Sequence, residues 1–285
     1  MVKRKASTFD VANNIILGIL ALTMVYPVIN LVVVSFSSIT DVIAGGTSLL
    51  WPKSIDLSAY KYVLNYASLW TAYENTIFVT LVGTTINLIM SALAAYVLSE
   101  RAMPGRNVLT TFVLITMFFN GGLIPTYLVV NKTGLIDSLW ALIVPGAIST
   151  WNMLIIRNFF QGIPNSLKES ARIDGAGELR ILLQIMLPLS MPVMATMALF
   201  YGVAHWNQYS NAIIYLNSPD KRVLQVVIRE MYNTAIQELD SDALPPPVET
   251  VRAATVVLAT VPILLVYPFL QKYFVKGVMV GALKG

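Results

Sequence analysis

The stretch IILGILALTMVYPVINLVVV, Ile15 to Val34, carries no charged side chain. Wound as a helix at ~1.5 Å per residue it reaches ~30 Å, the thickness of a bilayer's hydrocarbon core. Working outward from Ile15–Val34, the chain holds six such apolar runs, at about 11–35, 76–98, 108–130, 139–159, 187–214 and 253–274. Six spans use roughly 120 residues. The remainder is enough for a structured loop or two and too little for a separate soluble catalytic domain. The sequence therefore predicts one all-α membrane domain over 1–285.

Composition agrees. Apolar residues make up 56% of the 285 positions and charged residues 12%. A soluble domain carries roughly 25% charged residues, so this chain cannot cover a water-facing surface. Cysteine is absent and the 16 Gly and 14 Pro are scattered, which excludes disulfide-stapled and fibrous classes. The first run follows Lys3, Arg4 and Lys5 as a signal peptide would, with Ser35-Phe36-Ser37 as a cleavage site. Its apolar stretch exceeds the roughly 7–15 residues of such a peptide, so a retained span is expected. Asn120-Gly121-Gly122 interrupts the third run and predicts a kinked or partly unwound span there.

Loop charge sets the orientation. With the N-terminus inside, segments 1–10, 99–107, 157–186 and 272–285 hold 12 Lys and Arg, against 7 in 36–75, 131–138 and 215–252. The excess of basic residues predicts both termini in the cytoplasm and a multi-pass protein of the cell membrane.

Several chemistries are missing. No G-x-x-x-x-G-K-[ST] is present, so this chain has no P-loop for ATP. Gly175-Ala176-Gly177 starts like a dinucleotide fingerprint, but Arg180 stands where the third glycine belongs. A single histidine, His205, excludes a paired-histidine metal site, and no nucleophile elbow or triad is visible. His205 is read as a satisfied packing residue. No metal, no cofactor of its own and no nucleic acid are expected. The runs are nearly free of Asp, Glu, Lys and Arg, the groups on which ion-coupled carriers depend. Any energy source is therefore expected on another chain.

The informative loop is 162–186, between the fourth and fifth runs. It reads as a helix, a sharp turn and a second helix. Pro164 precedes it, Ser166 and Glu169 fit a capping box, and Gly175 suits the left-handed residue that ends a helix. The second helix begins near Glu178 and carries Leu182, Leu183 and Met186. On pattern alone this hairpin is either a solvated connector or a docking knob for a cytoplasmic partner.

Glu169-Ser170-Ala171-Arg172-Ile173-Asp174-Gly175-Ala176, followed by Leu187-Pro188, resembles the EAA loop of ATP-binding-cassette importer permeases. That pattern is E-A-A-x-x-D-G-A with a later L-P; this chain departs from it at Ser170, a small change for a close helix contact. The resemblance implies the type I importer permease fold, with six transmembrane helices and an EAA coupling helix. It also implies that Glu169, Ser170, Ala171, Asp174, Gly175, Ala176, Leu187 and Pro188 couple to an ATPase subunit.

The likeness extends over most of the chain. Gln271 to Gly277 and Gly281-Ala282-Leu283-Lys284-Gly285 are similar to the tail (275–285 here) of maltose-importer-type permeases, where the tail of the second permease reaches between the ATPases. Gly281, Ala282, Lys284 and Gly285 would make that contact. Phe119 to Tyr127 and Tyr267 to Gln271 are similar to the subgroup serving complex oligosaccharides. Such permeases work with a second permease, two ATP-binding subunits that hold ATP and Mg, an extracellular or periplasmic sugar-binding protein, and membrane lipid.

Sugars are held by aromatic faces and by amide or hydroxyl hydrogen bonds. Asn120, Trp151, Asn152, Trp206, Asn207 and Tyr209 are the candidates for a substrate pathway. Interfacial anchoring and helix bridging are the competing roles for such residues. The outer loop 36–75, with Trp51, Tyr60, Tyr62, Tyr66, Trp70 and Tyr73, and the loop 215–252, with Pro245 to Pro247, are long enough to meet a binding protein. The function expected is transport and not catalysis: a permease subunit of an ATP-driven oligosaccharide importer. A stand-alone carrier or channel, or an importer permease for a non-sugar solute, are the alternatives.

Overall fold

The computed structural model describes residues 8–45, 50–237 and 248–282. In chain order the α-helices are α1 (Thr8–Ser35), α2 (Ile39–Gly45), α3 (Ser58–Leu64), α4 (Leu69–Ser99), α5 (Arg106–Phe118) and α6 (Leu123–Lys132). They continue as α7 (Thr150–Gln161), α8 (Asn165–Ile173), α9 (Glu178–Ile181), α10 (Leu187–Leu189), α11 (Met191–Trp206), α12 (Ser210–Tyr215), α13 (Leu224–Gln237) and α14 (Val248–Ala282). Among the described residues the only β pairing is an isolated bridge between Ser37 and Ile55.

Three helices are long and apolar enough to cross a membrane unbroken: Val11–Ser35, Leu69–Ser99 and Val248–Val266. Three more candidates are bent pairs, which gives up to six if each pair crosses as one. The bends have local causes. Between α5 and α6 the chain turns by 113°. There Asn120 Oδ1 accepts the Gly122 N–H at 2.8 Å, closing an Asx turn. Gly122 has φ of +85°, ψ of 177°, a conformation open in practice only to glycine. The fourth run is half irregular: 3₁₀ turns at Leu139–Leu142 and Val144–Gly146 meet α7 at 48°.

The fifth run departs most from a straight span over 187–214. The helix from Glu178 passes through a wide π turn at Leu182–Met186. Pro188 has no N–H and its ring crowds the carbonyl four residues back, so the turn preceding it widens. The chain then bends by 84° into α11, which ends at Trp206, and α12 is a separate short helix.

The chain divides into two compact units. The first comprises residues up to Leu69 together with Ile228–Pro262. Its small core joins Val33, Val34, Val42 and Ala253. Ser35 Oγ and Tyr60 OH lie 2.8 Å apart, the Asp56 N–H reaches Phe36 O at 2.9 Å, and Arg252 stands over the Tyr232 ring at 5.5 Å. From Val11 to Ile29 α1 is exposed on all sides, as lipid-facing residues are.

The second unit holds Trp70–Val227 and the chain from Ile263. One core gathers Ala95, Tyr96 and Leu98 of α4 with Met153, Ile156 and Phe160 of α7, then Ile181, Leu182 and Met186, and Met197 and Tyr201 of α11. A second core, nearer the start of α4, joins Val79, Val130, Ala141 to Ile143, Ala212, Tyr215 and Val226. The Tyr201 hydroxyl accepts the Ser149 N–H at 3.1 Å and shares a hydrogen bond with Ser91 Oγ at 2.7 Å, tying three helices at one point.

Asp137 latches the segment after α12. One carboxylate oxygen accepts the Asn217 and Ser218 N–H groups at 2.9 Å each. The other accepts Ser218 Oγ–H at 2.6 Å and Lys221 Nζ–H at 3.0 Å. These bonds, led by that from the Ser218 hydroxyl, hold the Asp137 carboxyl far below the usual carboxylate range. A depressed folded-state pKa means the latch is at full strength above the unfolded value and is lost as pH falls through the folded one. Asp137→Asn is expected to speed amide hydrogen exchange across Asn217 to Arg222 at neutral pH. Unchanged exchange there would mean the carboxylate holds nothing.

Candidate functional site

The hairpin of α8 and α9 is built by its turn. After α8, Asp174 closes the helix and Gly175 takes φ of +80°, where an L side chain is strained. The Gly175 N–H reaches Arg172 O at 3.0 Å and the Ala176 N–H reaches Ala171 O at 2.9 Å. That pair of bonds is a Schellman motif, and the two residues it joins, Ala171 and Ala176, both pack on the main core. The capping box expected at Ser166 and Glu169 does not form. The Leu167 N–H bonds Pro164 O at 3.3 Å, so α8 begins at Asn165 and Ser166 is already inside it. Leu182 and Met186 are buried on the second arm, whereas Leu183 is exposed.

Of the coupling candidates, Ala171, Ala176 and Leu187 face the core, and Glu169, Ser170, Asp174, Gly175 and Pro188 are exposed. Ile173 is 86% exposed, an unusual position for an isoleucine on a polar hairpin. Of the tail candidates, Gly281 and Ala282 end α14, while Lys284 and Gly285 lie outside the described residues.

Sequence reasoning missed a charged group beneath the hairpin. Lys168 Nζ lies 3.2 Å and Arg172 Nη2 3.0 Å from Glu100 Oε2. Arg172 Nε donates to Glu178 Oε1 at 2.9 Å, and the Tyr96 hydroxyl donates to Glu178 Oε2 at 2.5 Å. Lys168 is only 3% exposed. Burial pushes the Glu100 carboxyl up, but hydrogen bonds from Arg172 and Lys168 outweigh it and hold the group below its ordinary value. Hydrogen bonds from Arg172 and then Tyr96 hold Glu178 low as well. Both shifts are downward, so their stabilisation is complete above the unfolded value of about pH 4.3 and fades as pH falls through the lower folded values. Amide protection of α8 is therefore expected to be flat from pH 8 to pH 5 and to fall only in stronger acid. A loss already at pH 6 would contradict this assignment.

The sugar-pathway candidates fall into two groups. Asn120, in the α5–α6 break, and Trp151, at the start of α7, are both exposed. The Thr116 and Thr150 hydroxyls, 3.3 Å apart, bring their two helices together. Asn152, next to Trp151, is buried. Trp206 is buried with its ring 6.3 Å from that of Tyr73. Asn207 and Tyr209 are exposed, and the Asn207 Oδ1 accepts from Gln225 at 3.4 Å.

His205 is held within the helix packing. Its Nε2 lies 2.6 Å from Asn87 Oδ1, and Asn87 Nδ2 donates to Gly146 O at 2.6 Å. Asn87 Oδ1 thus accepts, Nε2 carries the ring proton, and Nδ1 accepts from Gln208 Nε2 at 3.3 Å. Among the described residues no three of His, Asp and Glu converge as metal ligands.

The family profile described as "Binding-protein-dependent transport system inner membrane component" matches residues 87–280. The Bacillus subtilis polygalacturonan/rhamnogalacturonan transport system permease protein YtcP is 43% identical over 287 residues, 99% of this chain and 100% of that protein. Protein LplC of the same organism is 42% identical over 283 residues, 97% and 95% of the two chains. A chain in the crystal structure of a bacterial ABC transporter involved in importing the acidic polysaccharide alginate superposes with a TM-score of 0.85 at 36% identity. It covers 96% of this chain and 99% of that one.

Proposed function

Because this chain belongs to the family of binding-protein-dependent transport system inner membrane components, we propose that it forms half of the pathway of an ATP-driven oligosaccharide importer. The observation that carries this reading is the near-full-length likeness to YtcP, together with that to the alginate-importer chain. The cargoes named for those two proteins are polygalacturonan/rhamnogalacturonan and the acidic polysaccharide alginate, so an acidic oligosaccharide is the first substrate to test.

In this reading all six candidate spans cross the inner membrane, with both termini in the cytoplasm. A second permease completes the pathway and two ATPase subunits, holding ATP and Mg, sit beneath. A sugar-binding protein delivers cargo from outside. The exposed face of the hairpin, Glu169 with Ser170 and Asp174, docks in a cleft of one ATPase. The tail from 275 reaches between the two. Closure of the ATPases on ATP pulls the hairpin and shifts the population from an inward-open to an outward-open pathway. Asn120, Trp151, Asn207 and Tyr209 are the exposed polar and aromatic candidates read as sugar contacts.

The test is recovery of partners followed by uptake. The tagged chain, gently solubilised, is expected to bring down a second multi-span chain and a nucleotide hydrolase. Vesicles containing that complex and its binding protein are expected to accumulate labelled oligogalacturonate only with ATP. Recovery of the chain alone, with uptake that follows an ion gradient, would establish the carrier alternative instead. Glu169→Lys inverts the charge offered to the ATPase and is expected to lower ATP-dependent uptake at least tenfold without lowering the amount in the membrane, in line with the larger effects of interface charge reversal. Uptake at the original rate would remove Glu169 from the docking face.

A further inference from the structure

The flank of α8 beside Glu169 carries a second device. Lys168 and Arg172 stand one turn apart, and two cations so placed repel on an isolated helix. Here both converge on Glu100, at 3.2 and 3.0 Å, and Arg172 continues to Glu178 at 2.9 Å. Glu178 then receives the Tyr96 hydroxyl. Tyr96 and Glu100 are themselves one turn apart near the end of α4. The result is a closed ring of two cations, two carboxylates and a phenol that joins α4, α8 and α9. Its charges cancel, and one cation, Lys168, is shut away from water.

The ring matters because of connectivity. The hairpin is continuous with α7 on one side and with the α9–α11 segment on the other. Along the chain it is remote from α4: 68 residues separate Lys168 from Glu100. A pull on α8 reaches α7 and α11 through the chain, but reaches α4 only through side chains. The apolar part of that contact, Ala171 and Ala176 against the core, is non-directional. The ring is directional, since charged hydrogen bonds hold a preferred geometry and Lys168 has no water to replace its partner.

We propose that Glu100 and Tyr96 are positioning residues that make α4 and the hairpin move as one body, so that α4 is driven directly by the ATPase stroke. This rests on the importer reading for its consequence, but the mechanical link is a property of this chain.

The experiment uses the assembled complex in nanodiscs. Cysteine is absent from this chain, so Ser166→Cys on the exposed side of α8 and Leu81→Cys on α4 supply a pair of spin labels, after removal of accessible cysteines from the partner chains. With Glu100 and Tyr96 intact, the distance distribution is expected to be narrow and the same with and without an ATP analogue. Glu100→Gln and, less strongly, Tyr96→Phe are expected to broaden it and make it nucleotide-dependent, and Glu100→Asp to restore part of the narrowing. In proteoliposomes the same two variants are expected to lower the oligosaccharide carried per ATP hydrolysed, by about tenfold for Glu100→Gln, within the usual range of coupling between sites.

An unchanged narrow distribution and an unchanged ratio in the variants would overturn the proposal, even if both rates fell together, because a proportional loss is what mere misfolding gives. Should Glu100→Gln fail to assemble, Tyr96→Phe, which removes one hydroxyl, decides alone. Absence of ATP-dependent uptake in the unmutated complex would sink the importer reading, while the distance measurement would still judge the link.

Discussion

Gly175→Pro is expected to abolish ATP-dependent uptake while leaving the chain in the membrane. Three effects act together. Proline fixes φ near −65°, and Gly175 stands at +80°. Proline also has no N–H, so the bond to Arg172 O is lost outright. With the turn reopened, the Ala176 bond to Ala171 O has no geometry to hold it, and α9 no longer leaves α8 at its present angle. Each effect disturbs the hairpin and none touches a span, which is why insertion survives. Gly175→Ala is the graded control. A Cβ at Gly175 meets nothing within 4 Å, so only left-handed strain remains, about 1–2 kcal/mol. Uptake by right-side-out vesicles loaded with ATP and supplied with the binding protein, normalised to the amount of chain in the membrane, is expected to fall partly for Ala and completely for Pro. A proline variant that transports at the original rate would detach this turn from the mechanism.

The turn at Gly175 and the break at Asn120-Gly121-Gly122 were both legible in the sequence, because each is set by a glycine and its immediate neighbours. The unbroken helices around 11–35, 76–98 and 253–274 were legible for another reason: a long apolar run has one outcome in lipid, and Pro27 and Pro262 are carried inside such helices. The fourth and fifth runs were not legible as they stand. Their apolar residues suit a straight helix, and only the crowding by Pro188 and the 3₁₀ turns around Pro145 redirect them. Ser166 misled in the opposite way, since its capping pattern is present but Pro164 starts the helix two residues too early for it to act. The ring beneath α8 had half a signal. Two cations one turn apart ask for an acid between them, yet nothing local names Glu100, which folding brings from another helix.

His205 shows how far a local reading goes, and supplies the second large effect. A lone histidine in an apolar run reads as a packing residue, and its neighbours Asn87 and Gln208 satisfy it. The sequence does not reveal that its ring lies flat against Gly83. A Cβ at Gly83 would stand 2.6 Å from Nε2, 2.7 Å from Cε1 and 2.9 Å from Cδ2 of that ring. The ring cannot retreat, because Nε2 is held by Asn87, itself bonded to Gly146 O, and Gln208 is anchored to Leu142 O at 3.0 Å. Gly83→Ala must therefore part α4 from α11 or break the hydrogen bonds, at about 1–3 kcal/mol for the overpacking and about 1 kcal/mol more for a lost bond. Gly202, on α11, gives the contrast: a Cβ there meets Thr84 Oγ1 at an ordinary 3.6 Å, and Gly202→Ala is expected to be silent. His205→Ala removes the obstacle and strands Asn87, so it destabilises alone. In Gly83→Ala/His205→Ala the new methyl occupies space the ring has left. The two losses are then less than additive, with a coupling of about 0.5–3 kcal/mol. Thermal unfolding of the solubilised complex, followed by loss of the monodisperse species, reads all four. Additive losses, or a silent Gly83→Ala, would mean that α4 and α11 do not meet at this glycine.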